Sequence, residues 1–103
     1  MGLDFLVEQQ PEHGVVVFEP GEHRTTFQNR DVLLARYPLV SRLLSYVDDS
    51  AWDVGELPAL REQLVAFCDR AMLDHHLTGK LRRLVGLVDH AVRVQRHLVA
   101  EAD

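Results

Sequence analysis

The chain is short of the features that announce most functions. It has one cysteine, Cys68, so no internal disulfide can form. That thiol falls beside Phe67, Ala71 and Met72 on the apolar side of a predicted helix and reads as core. No stretch approaches the ~18 uninterrupted apolar residues of a membrane span, and no basic segment at the start leads into a long apolar run. A cytosolic protein without a membrane partner is the expectation. Positive charge is also scarce: 11 Lys and Arg stand against 16 Asp and Glu, for a formal net charge of -5. That balance argues against a delocalised attraction to nucleic acid or anionic lipid. There is no His-Glu-x-x-His, no Cys-x-x-Cys, no nucleophile elbow, phosphate loop or triad signature, no repeat and no low-complexity run. No enzyme activity and no cofactor are therefore expected.

What is present is the material of one globular domain. In 103 residues, 47% are apolar and 26% charged, an ordinary soluble composition. A chain of this length buries roughly 65% of its unfolded surface around one core. The strongest pattern lies in residues 57–102. Leu81, Leu84, Val88, Ala91, Gln95, Leu98 and Ala102 recur in steps of three and four, as do Leu60, Leu64, Phe67 and Ala71 before them. The spacing predicts two antiparallel amphipathic helices, the first ending near His75 or His76, the second running to the C-terminus, with a turn around Thr78 and Gly79. Leu3 to Glu8 and Gly14 to Glu19 are short runs with alternating apolar residues, bounded by Pro and Gly, and read as the strands of a hairpin within residues 1–20. The mixed face of the second strand, carrying Val15, Val17 and Glu19, is a candidate contact surface. Residues 22–28 read as a polar turn after Pro20 and Gly21, and residues 29–47 as two short helices broken at Pro38. The resulting fold class is α+β, an N-terminal β-hairpin packed on a mainly helical body.

Three places carry candidate chemistry. Trp52 lies among Asp48, Asp49, Asp53 and Glu56. It can be a core residue whose indole N–H finds a carbonyl, or the rigid anchor of an acidic loop that binds a basic partner. Gln95 interrupts the apolar stripe of the last helix. Because that helix outruns its partner, Gln95, Leu98 and Val99 are a candidate interface with another protein or a second copy of the chain. The segment His23 to Asp31, with His23, Arg24 and Arg30, holds a base and two guanidinium groups that suit an anion.

Other histidines and basic residues point less far. Six histidines invite a metal, but none has the paired spacing a zinc site needs, and no metal is expected. Arg83, His90 and His97 share a helical strip without interleaved aromatics, which reads as a solvated face rather than a nucleic-acid surface. The leading expectation is a small acidic protein that acts by binding another protein, such as an inhibitor of the immunity or antitoxin kind. A homodimeric adaptor is the second, and a small enzyme or anion-binding protein using His23 to Asp31 the third.

Overall fold

Strict alternation makes the first element. Leu3, Phe5 and Val7 are fully buried while Asp4 and Leu6 face the other way, which defines strand β1, Leu3–Val7. The computed structural model describes residues 3–10, 14–44 and 49–102. Strand β2, Val16–Phe18, pairs antiparallel with β1 in the register Leu3 to Phe18, Asp4 to Val17 and Phe5 to Val16. The expected hairpin is present.

The polar segment after it is helical, contrary to its reading as a turn. Helix α1 spans Pro20–Thr26. Pro20 occupies the first turn, and a reciprocal capping box joins Glu19 to Glu22, with the Glu19 N–H donating to Glu22 Oε1 at 2.9 Å. Pro20 marks the end of a strand and the start of a helix equally well; Glu22, three residues beyond Glu19, decides for the helix. A 3-10 turn at Gln28–Arg30, helix α2 at Asp31–Leu34 and a second 3-10 turn at Val40–Leu44 follow, so this region is more broken than two short helices.

Helix α3, Leu57–Ala71, and helix α4, His75–Val94, pack against each other as the apolar spacing requires. The turn between them is at residues 72–74. Met72 adopts the left-handed conformation with φ 53°, and Asp74 caps α4 by accepting the Leu77 N–H at 2.9 Å. Thr78 and Gly79 therefore lie inside α4. Among the described residues no helix is long and apolar enough to cross a membrane.

The C-terminus departs most from expectation. Helix α4 stops at Val94, Gln95 closes it at φ 58°, and Leu98–Ala102 form strand β4. Strand β4 pairs antiparallel with β1 on one side and with β3, Ser50–Trp52, on the other, giving a four-stranded sheet in the order β2-β1-β4-β3. The misreading has a simple cause. Leu98 and Ala102 are four apart, a spacing that satisfies helical and strand periods alike. Pairing on both sides satisfies the backbone of β1 and β4 together, which a helix running to Ala102 would leave open.

One face of the sheet carries the core. Phe5 meets Phe18 edge to face with centroids 5.7 Å apart and stacks on Trp52 at 6.3 Å. Phe18 reaches Phe27 at 5.3 Å, and Phe27 stacks on Phe67 of α3 at 5.8 Å. These rings join sheet, middle segment and helices into one apolar interior, completed by Leu60, Leu64, Leu81, Leu84 and Val88.

Candidate protein-binding face

The alternation that sends Leu3, Phe5, Val7, Leu98 and Ala100 into the core sends their neighbours to the opposite face. There Leu6 stands opposite Val99, and Val99 opposite Ala51. These three residues form an apolar row across β1, β4 and β3. Leu6 and Val99 are half-buried, Ala51 is exposed, and none of them joins the hydrophobic core.

Beside that row runs a second one, Val17, Asp4 and Glu101, in direct cross-strand register. Asp4 and Glu101 are both acidic and stand opposite each other. Like charges so placed oppose folding by up to ~1 kcal/mol. Glu8, one residue past β1, continues the ladder by donating its N–H to the His97 carbonyl at 2.9 Å, so it prolongs the same alternation. The face is thus an apolar row bracketed by carboxylates. One carboxylate oxygen of Asp4 is buried, so Glu8 and Glu101 offer the more accessible charge of this face.

The residues singled out from sequence are distributed differently. Trp52 is fully buried, and its Nε1 donates to the Leu39 carbonyl at 2.9 Å. Its indole closes the core and is no exposed anchor. Asp48 lies outside the described residues. Asp49 is exposed and accepts the Ala102 N–H at 2.8 Å, tying the end of β4 to β3. Asp53 accepts the Glu56 N–H at 3.0 Å while the Asp53 N–H donates to Glu56 at 3.2 Å, a reciprocal box that launches α3. Hydrogen bonds from Arg42 and the Asp53 backbone hold the Glu56 carboxyl below its ordinary range.

Gln95 is not a polar residue in a helical seam. It is the left-handed cap of α4, exposed, with Nε2 donating to the Val92 carbonyl at 2.7 Å. Leu98 is fully buried in the sheet. Val99 lies on the outer face of the sheet as a strand residue, apart from Gln95 at the helix end.

His23, Arg24 and Arg30 are placed in different environments. His23 is fully buried on α1, and Nε2–H donates to the Leu43 carbonyl at 2.5 Å. Burial lowers the imidazole pKa, outweighing the hydrogen bond to Leu43 that raises it. Arg24 faces water and Arg30 is half-buried, while the His23 ring is committed to the interior and does not present a base beside them. Burial also pushes the Cys68 thiol up, away from reactivity.

Among the described residues, Glu22 with Lys80 and His76 forms an ionic cluster at a shallow cleft of about 530 Å³. Lys80 Nζ donates to Glu22 Oε1 at 2.6 Å, and His76 Nε2 contacts Glu22 Oε2. Burial alone would raise the Glu22 carboxyl, but hydrogen bonds from Lys80, the Glu19 backbone and His76 bring it down to about 2. Here the cation and the anion satisfy each other. Among the described residues, no three of His, Cys, Asp and Glu gather to hold a metal.

The sheet face escaped the sequence reading because half of it comes from β3 and β4, whose strand character was not recognised. The alternation of Leu98, Val99, Ala100, Glu101 and Ala102, after the polar break at Gln95, Arg96 and His97, is the signal that locates it. Comparison of the chain with protein-family models, with curated proteins and with solved structures finds no match.

Proposed function

We propose that the protein acts by binding another protein through the open face of its sheet. The supporting observation is the apolar row Leu6, Val99 and Ala51 bracketed by Asp4, Glu8 and Glu101. An apolar centre with a polar rim is the usual anatomy of a protein interface, and a rim of one sign selects a partner of the other. The partner in this reading presents a basic surface with an apolar centre. Self-association through the same face is disfavoured, since a two-fold axis brings like carboxylates together.

Affinity purification with the full chain, compared with Val99→Lys and Leu6→Glu, tests the reading. Both substitutions leave the buried face of the sheet untouched. A protein retained by the wild type at low salt, released as salt rises and lost with both variants supports the face. A partner retained equally by all three chains assigns binding elsewhere. Absence of any stoichiometric partner under gentle lysis rejects protein binding as the function.

A further inference from the structure

The two edges of the sheet are closed by the same device, built from unrelated parts of the chain. Backbone groups of an antiparallel strand point alternately to its two neighbours. Glu8 donates its N–H to the His97 carbonyl, which places the even residues of β1 toward β4 and the odd ones toward β2. Leu3 and Phe5 then bond Phe18 and Val16, and Val17 directs its own N–H and C=O away from the sheet. By the same count Leu98 and Ala100 bond Trp52 and Ser50, which leaves the backbone groups of Ala51 on the opposite outer edge. The Ala102 N–H, directed at Asp49 beside β3, agrees with this register.

Each outward carbonyl is occupied by a cation. Lys80 Nζ donates to the Val17 carbonyl at 2.6 Å, while Glu22 holds the same ammonium at 2.6 Å and the Phe18 ring lies 5.6 Å below it. At the other edge Arg42 Nη1 donates to the Ala51 carbonyl at 3.0 Å, and Glu56 grips the guanidinium through both carboxylate oxygens, at 3.1 and 2.5 Å. Lys80 is the one lysine of the sequence. A strand approaching either edge must displace a cation that a glutamate holds in place.

We infer that Lys80 and Arg42 are gatekeepers that close the sheet to strand addition, and that removing either opens its edge to the edge strand of a second copy of this chain. Exposed edges pair with other edges unless charge or cover prevents it, and a second copy always supplies the same short strand. The inference does not depend on what binds the open face, because it concerns backbone groups at the rim rather than side chains on the surface.

The experiment uses the full chain with Lys80→Met and Arg42→Met, which keep the aliphatic stem and remove the charge. Mass is measured by light scattering and sedimentation from about 10 µM to 1 mM, with circular dichroism as the check of fold. Both variants are expected to reach at least twice the wild-type mass within this range, and Lys80→Arg, which restores a cationic donor, to return to the wild-type mass. Arg42 is partly exposed, so its variant carries the test alone if Lys80→Met does not fold. A folded Arg42→Met variant that keeps the wild-type mass throughout the range overturns the inference, as does association of Lys80→Arg equal to that of Lys80→Met.

Discussion

His23 makes the stability of this protein depend on pH in a defined window. The imidazole is fully buried, and desolvation penalises its charged form more than the hydrogen bond from Nε2–H to the Leu43 carbonyl favours it. Its folded pKa is therefore depressed below the value of about 6.5 that the unfolded chain shows. Below that value the unfolded state binds a proton that the folded state does not, so stability falls as pH falls. The stabilisation is complete above pH ~6.5 and declines beneath it by ~1.4 kcal/mol per unit until the folded pKa is reached.

The sequence holds five other histidines, so the measurement is a difference. His23→Gln keeps an amide N–H for Leu43 and removes the titration. Urea unfolding followed by fluorescence of the buried Trp52, at half-unit steps from pH 7 to pH 5, should show the wild-type midpoint falling more steeply with decreasing pH than that of the variant. Parallel curves for the two proteins would refute a buried neutral His23.

A lower window belongs to Glu22. Its carboxyl, brought down to about 2, contributes at most ~3 kcal/mol, fully present above pH ~4.5 and lost as pH falls toward 2. Glu22→Gln should therefore destabilise at pH 7 and make little difference at pH 2, as read by denaturant titration at both values. Met72 is 90% exposed and sits at φ 53°, so Met72→Gly relieves the left-handed penalty without losing packing. A gain of ~1 kcal/mol in chemical denaturation is expected. Glu101→Gln removes the carboxylate opposite Asp4 and should raise stability by up to ~1 kcal/mol while weakening capture of a basic partner. Opposite signs in melting and binding mark a functional carboxylate; a loss of stability would show that the pair supports the fold. A chain ended at His97 should give no cooperative melt, because β4 lies between β1 and β3; a folded product would contradict the sheet order.

Much of this structure is legible in local sequence. Alternation in Leu3 to Val7 and the three-and-four spacing from Leu60 to Ala91 set the hairpin and the helix pair, since side chains of each segment must share one side to leave water. The capping signals at Asp74 and at Glu19 with Glu22 are also local, and α1 was readable from them.

What only the tertiary structure decided is the fate of residues whose local preferences are balanced. Leu98 and Ala102 suit a helix and a strand equally, and the vacant side of β1 selects the strand. That choice turns Val99 from the tip of a projecting helix into the centre of an open sheet face, between Leu6 and Ala51, which are remote in sequence. Trp52 likewise is bound to the interior by a carbonyl thirteen residues away and by the ring of Phe5. The pairing of Lys80 with Val17 and Arg42 with Ala51 has no periodic signature, because a gatekeeper is specified by where two distant segments meet. Short-range chemistry determined which segments bury a face; long-range strand pairing determined which face of the sheet lies outside the core.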